Sequence, residues 1–298
     1  LLFEQVKKYI EYTKDYDFIM NEIYQNLEHI IKNYSIGIDI DDNNIYLDTD
    51  GLIVSGTPYT QNTWMDVKYD GIPATPRNGK PVEINAMWYN ALKVMAELAE
   101  YQKDESKKEK YERMANKCKK SFREKFYNKS KKCLYDVLED GKVRPNQLFA
   151  LSLSYPVLDV NSKEAKEMFE TVTKKLLNKY GLKTLAKGEE NYIDVYEGDS
   201  FKRDFSYHQG ITWTWLLGLY YNCLKRFATE SRTGKKKYNE QLEEFIQSVT
   251  ETFSKEINER GCIGSIAEIY DSKRPFEPKG AVAQAWSVAE VFRIITRS

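Results

Sequence analysis

Proton-transfer chemistry in this chain has to come from carboxylates. The chain holds two histidines, His29 and His208, too few for a three-histidine metal site. Its four cysteines, Cys118, Cys133, Cys223 and Cys262, lie far apart with no CxxC pair, so no metal and no cofactor is expected. With one central histidine and no ligand set, a pair of carboxylates is the available acid–base equipment. Asp66 follows Trp64-Met65, and Glu268 sits within Ile266-Ala267-Glu268-Ile269-Tyr270, both in aromatic, loop-flanked settings. Composition and spacing alone do not single these two out from the 45 acidic residues.

The stretch from Thr63 to Asn90 organises the rest. Pro73, Pro76 and Pro81, with Gly71 and Gly79, interrupt regular structure in its first half. The same loop carries Trp64, Met65, Tyr69, Trp88 and Tyr89 among Asp66, Lys68, Asp70, Arg77, Lys80 and Glu83. A long aromatic and charged loop leading into a helix is where small-molecule sites are commonly built, although such aromatics can equally cap a core.

Thr63-Trp64-Met65-Asp66, followed by Thr75-Pro76-Arg77-Asn78-Gly79-Lys80-Pro81-Val82-Glu83-Ile84-Asn85-Ala86-Met87-Trp88-Tyr89-Asn90, resembles the signature of the amylo-α-1,6-glucosidase region of glycogen debranching enzymes. Further stretches resemble the same family. These are Arg144-Pro145-Asn146-Gln147, the run Tyr207-His208-Gln209-Gly210-Ile211-Thr212-Trp213-Thr214-Trp215, the segment around Glu268, and Gln284-Ala285-Trp286-Ser287. Three positions depart from the pattern: Thr214 stands for the usual Pro, Ala267 for Ser and Ser272 for Gly. The resemblance implies an (α/α)6 toroid related to the glucoamylases and hydrolysis of α-1,6-linked glucose stubs on glycogen or another branched α-glucan. It also implies Asp66 as general acid and Glu268 as general base, with inversion at the anomeric carbon. An inverting pair stands about 6.5–9.5 Å apart to admit a water. Trp64, Trp213 and Trp286 are expected to offer faces to the sugar. Lys80, Glu83, Asn85, Arg144, Gln147, His208 and Gln209 are expected to supply hydrogen bonds to its hydroxyls, some of them serving structure instead. Trp88 and Trp215, inside helices, read at least as well as core, and a lone histidine at a helix start is more often a core or capping residue.

Composition agrees with a neutral ligand. Lys plus Arg and Asp plus Glu number 45 each, so no net field draws the chain to nucleic acid or an anionic membrane. No apolar run is long enough to span a bilayer. Dispersed cysteines and no secretory signal suggest reduced thiols in a cytoplasm.

The elements that must hold these residues read as all-α. Residues 1–34 give two helices, Val82 to Tyr101 one, Ser106 to Tyr127 one, and Leu148 to Leu153 a short one. Ser162–Lys179, Trp213–Phe227, Lys237–Ile257 and Ala283–Ile295 follow, and residues 180–207 read as loop. A hairpin is expected over 36–57 with Asp41-Asp42-Asn43-Asn44 as its turn, and another from Cys133 to Val143 turned by Asp140-Gly141. About nine helices with small hairpins and no large sheet make an incomplete toroid in a single domain, 1–298. The start at Leu1, already in helical periodicity, suggests a fragment whose preceding helices are absent. Helix faces left bare by that absence would promote self-association. Two other readings stay open: an exo-α-glucosidase acting on other oligosaccharides, and a non-catalytic glycan-binding remnant.

Overall fold

Apolar residues spaced by three and four fold most of the chain into helices that bury one stripe each. The structure, a computed structural model, describes residues 1–37 and 43–297. Helix α1 (Leu2–Thr13) buries Phe3, Val6 and Ile10, and stops at Lys14, whose backbone turns left-handed at φ 60°. Asp15 caps the short α2 (Tyr16–Phe18) by accepting from Phe18 N at 2.9 Å. A π-helical turn, Ile19–Ile23, leads into α3 (Tyr24–Ile36), so the second expected helix is present with an interruption.

Helix α4 (Val82–Tyr101) has the expected bounds. It is buried over most of its length and packs against α1, α3 and α5 (Glu105–Lys125). Asp104 caps α5 through Lys107 N at 3.0 Å, and Tyr111, Ala115, Cys118 and Phe122 form its inward stripe. The 3-10 turn Pro145–Leu148 runs into α6 (Phe149–Ser152). Then come α7 (Lys163–Lys175), α8 (Ser200–Ser206), α9 (Leu216–Glu230), α10 (Lys235–Glu259) and α11 (Ala285–Ile295). Helix α9 packs against α6, α10 and α11. The fold is mostly helical, as expected, and α8 adds a helix where a plain loop was expected.

The strands differ more from expectation. The residues 38–42 of the first proposed hairpin lie outside the described residues. The pairing observed is β1 (Tyr46–Leu47) with β2 (Ile53–Val54), so the turn is 48–52, where Gly51 takes φ 85° and the Asp50 carboxylate accepts from Leu52 N. Inside the proline-rich loop, β3 (Lys68–Tyr69) and β4 (Ile72–Pro73) pair across Asp70-Gly71, both at positive φ, an arrangement that Asp-Gly favours. Cys133 opens the second strand of its hairpin rather than the first: β6 (Cys133–Leu134) pairs back to β5 (Tyr127–Asn128). The Asn128 side chain sets that turn by accepting from Ser130 N and Lys131 N, while Asp140 bonds locally, to Val137, Asp136 and Lys142.

The expectation of hairpins alone is corrected by a five-stranded antiparallel sheet, ordered β11-β10-β9-β8-β7. Its members are β7 (Leu177–Asn178), β8 (Gly181–Lys183), β9 (Thr212–Trp213), β10 (Ile269–Tyr270) and β11 (Pro278–Lys279). Trp213 is therefore in a strand, and the buried helix begins at Leu216. Its register sets Ile269 opposite both Trp213 and Lys279, bringing the segment around Glu268 against the aromatic run. Gly181 makes this approach possible, since a Cβ there would lie 2.3 Å from the Trp213 carbonyl oxygen. Ser272, the departure from Gly, joins the same seam by hydrogen bonds to Thr212 and to the Gly210 carbonyl.

Candidate active site

Glu268 immediately precedes β10, and its carboxylate is seated by backbone and side chain together. Oε2 accepts from Ala281 N at 3.1 Å, and Oε1 accepts from Gln284 Nε2 at 3.0 Å. Glu268 N in turn donates to the Ala281 carbonyl at 2.9 Å. The carboxylate reaches Ala281 N only because Gly280 has no side chain. Its backbone is left-handed at φ 70°, and an added Cβ would stand 2.4 Å from Glu268 Oε2. Tyr207 supplies a further partner. Burial pushes its phenol far up, and so do its hydrogen bond to Glu268 and the charges of Glu268 and Asp66.

Asp66 lies in the loop before β3. The residue is exposed, yet the protein around its carboxyl holds its pKa above the usual aspartate value, opposed by its own backbone N–H. The neighbouring Trp64 enters an aromatic cluster. Its ring meets His208, Trp213 and Trp215 edge-on at centroid distances of 5.3, 5.4 and 5.0 Å. Trp286 stacks on Trp215 at 5.1 Å and meets Trp213 edge-on at 5.8 Å. Tyr207 packs on Trp213 at 4.8 Å and on His208 at 4.9 Å. Trp215 therefore belongs to this wall, whereas Trp88 stacks on Tyr34 elsewhere. Trp286 keeps 39% of its surface exposed and is the open edge of the wall.

Behind the wall runs a buried polar network. The Arg77 guanidinium forks onto Glu83, with Nη2 to Oε2 at 2.6 Å, and onto Asp136, with Nε to Oδ2 at 2.7 Å. Asn146 Nδ2 donates to Asp136 Oδ1 at 2.8 Å, and its own carbonyl accepts from Trp64 Nε1 at 2.7 Å. A chain of charge-assisted bonds thus fixes the indole next to Asp66. Arg144 donates to the carbonyls of Thr184 and His208 and to Gln209 Oε1. Gln209 Nε2 reaches back to the Ala74 carbonyl at 3.0 Å and to Thr75 Oγ1 at 3.2 Å. His208 is fully buried with neither ring nitrogen bonded to protein. Burial, then the nearby Arg144 and Arg77, pushes its pKa well below the usual histidine value, so the ring is neutral at physiological pH.

The expected site residues therefore fall into three groups. Trp64, Trp213, Trp286 and His208 come together in one aromatic cluster, with Asp66 two residues beyond Trp64 and Glu268 next to the strand that pairs with Trp213. Arg144 and Gln209 frame the loop from behind. Lys80, Glu83, Asn85 and Gln147 already have protein partners: Lys80 bridges Asp48 and Asp50, Glu83 binds Arg77, Asn85 pairs with the Ile53 backbone, and Gln147 joins Leu134 N to the Arg144 carbonyl. Tyr207, Gln284 and Gly280 escaped the sequence reading as site residues. The first two stand inside stretches that resemble the family, so position within those stretches was an available signal. Asp136 carried none.

A family model described as amylo-alpha-1,6-glucosidase matches residues 1–293. The glycogen debranching enzyme of Saccharomyces cerevisiae is 25% identical over 249 residues, covering 68% of this chain and 16% of that protein. The chain thus spans about a sixth of the length of that curated relative. Among solved structures, one described as a sialidase superposes with a TM-score of 0.67 at 14% identity, over 97% of this chain and 25% of that one, a likeness of fold. With the family match running over nearly the whole chain, the protein belongs to the amylo-α-1,6-glucosidase family.

Proposed function

We propose that this chain is a glucosidase module that hydrolyses α-1,6-linked glucose stubs on glycogen or another branched α-glucan, with inversion. What supports the reading is that Trp64, two residues before Asp66, meets Trp213 edge-on at 5.4 Å, and Trp213 pairs across the sheet with Ile269, next to Glu268, in a chain of this family. In this reading the Asp66 carboxyl gives its proton to the glycosidic oxygen as the bond from C1 breaks. Glu268 takes a proton from the water that attacks C1 from the opposite face, releasing glucose of inverted configuration. The upward push on Asp66 favours the protonated form that a general acid needs. Trp286 and Trp64 stack on the sugar's C–H faces, and the orphaned nitrogens of buried, neutral His208 suit a bridging water. The helices and their linking loops form part of an (α/α)6 toroid.

The test is glucose release from a glycogen limit dextrin carrying α-1,6 stubs, with the anomeric form followed by polarimetry or NMR. This chain and its Asp66→Asn and Glu268→Gln variants are compared. Release of β-glucose that both substitutions abolish supports the assignment. Release that survives both overturns it, and release only from short oligosaccharides moves the substrate to another exo-α-glucosidase class. Glucan binding without hydrolysis leaves the binding module.

A further inference from the structure

A cavity lies away from the carboxylate pair, between α5 and the start of α7. It measures about 470 Å³, within the range of small-molecule pockets, and shares no lining residue with the aromatic wall. Three cations on α5 line it: Lys119, Lys120 and Arg123. Several half-buried lysines elsewhere in the fold meet a carboxylate, as Lys80 does with Asp48, Lys93 with Glu112 and Lys131 with Glu189, whereas Lys183 does not. None of the three cavity cations forms a salt bridge among the described residues, although Glu124 and Glu164 also line the space.

Lys119 makes the point most clearly. It is half-buried, its ammonium lies 5.3 Å from the centre of the Tyr89 ring, and its pKa is pushed down by burial and then by the charge of Arg123. Asp159 pulls the other way, and Lys93 adds to the repulsion. A cation held out of water beside other cations is costly unless an anion joins it. Ser162 and Glu164, at the first turn of the thirteen-residue α7, border the same space; Ser162 Oγ caps Ala165 N at 3.1 Å, and the helix dipole with the remaining first-turn N–H groups adds to the positive side, offset in part by the Glu164 charge. Phe122, Leu134 and Leu158 line the remainder with apolar surface, and Tyr127 adds an aromatic ring.

We propose that this cavity binds a phosphate monoester, with Lys119, Lys120 and Arg123 on the phosphate and the apolar and Tyr127 surface against an attached sugar. The space exceeds what a bare phosphate fills, which favours a sugar phosphate. The site is separate from the glucan-cleaving residues and regulates or recruits rather than reacts.

Calorimetric titration with inorganic phosphate and with glucose 6-phosphate tests this, using the intact protein, its Lys119→Ala/Arg123→Ala form and a Lys236→Ala control on the exposed face of α10. A Glu268→Gln background identifies any sugar phosphate bound at the aromatic wall. The expected result is saturable one-to-one binding, weakened about tenfold or more in the double variant and unchanged in the control. Tighter binding of glucose 6-phosphate assigns the sugar phosphate, and equal binding assigns the free anion. Absence of saturable binding of both ligands up to about 10 mM overturns the proposal, as does binding that the double variant leaves intact. If the double variant does not fold, Arg123→Ala alone, at an exposed side chain, gives the same two outcomes.

Discussion

Glu268 is positioned by what its neighbours lack as much as by what they offer. Gly280→Ala puts a methyl group where Oε2 now sits, on a backbone that a non-glycine residue resists. Catalytic geometry tolerates little, and a displacement on the order of 1 Å can cost about 10²-fold in rate. Gly280→Ala should therefore lower kcat for glucose release by about that factor while KM stays near its starting value, because the wall at Trp64 and Trp286 is untouched. A rise in KM with kcat kept would show that Gly280 serves binding instead. Asp66 makes a second prediction at this scale. Its folded pKa is raised, so the folded state holds the proton more tightly than the unfolded chain. That contribution is fully present below the unfolded value near 3.8 and is lost as pH rises through the folded pKa. At pH 7 the charged carboxylate is thus a burden on stability, a small one at an exposed residue. Asp66→Asn should raise Tm at pH 7 by no more than about 2 °C and have no advantage at pH 3, while abolishing activity. Thermal melts at the two pH values check the sign, and an equal gain at both would remove the electrostatic explanation.

At the scale of elements, the loop 63–81 keeps its shape because Arg77 reaches inward to Glu83 on α4 and to Asp136. Arg77→Met leaves two carboxylates buried without their cation, a change that typically costs about 3–5 kcal/mol. Urea unfolding should register that loss. Glucose release at a temperature where the variant is still folded should also fall, since Asp136 holds Asn146 and Asn146 holds the Trp64 indole. A variant of unchanged stability would mean the fork is not what holds the loop. The same elements explain what the sequence could reveal. Helix α4 was legible to the residue because its apolar positions recur over twenty positions behind a proline. The helices α5, α7 and α10 were legible by the same spacing, and α9 by being apolar nearly all round, although its start was set at Trp213 instead of Leu216. Strands β7 to β11 have two or three residues each, too short for a period of two to register, so the sheet that sets Trp213 beside Ile269 was invisible. The turn of the hairpin near Cys133 was misplaced because its Asp-Gly run looked like a turn, while the deciding group was the Asn128 side chain. At the candidate site, resemblance pointed to Asp66, Glu268 and the tryptophans. It could not distinguish Glu83, Asn85 and Gln147, whose partners are backbone and charges distant in sequence.

For the whole molecule, the decisive feature is an apolar face that no part of the described chain covers. On α11, Trp286, Val288, Phe292 and Ile295 are exposed, Phe292 at 67%, although the same helix buries Val291 and Ile294 on its other side. At the other end of the chain Leu1 and Leu2 are exposed too, Leu1 at 63%, beside a groove of about 210 Å³ lined by Met87 and Trp88. Each large side chain withdrawn from water contributes about 1.5–3 kcal/mol. A handful of them meeting another surface can therefore offset a substantial part of the cost of association. This chain in isolation should accordingly self-associate, and sedimentation velocity should show its mean mass rising with concentration. Phe292→Ser with Val288→Ser should shift that equilibrium towards monomer and leave the helical circular dichroism unchanged, because both side chains point away from the core. Trp286 lies on the same helix and forms the open edge of the aromatic wall, so association through α11 should also hinder glucan access. Hydrolysis per chain should then fall at high protein concentration and recover in the double serine variant. A protein that sediments as one monomer across the whole range would show that this face is tolerated in water. The wall's open edge would then have to be explained by the substrate alone.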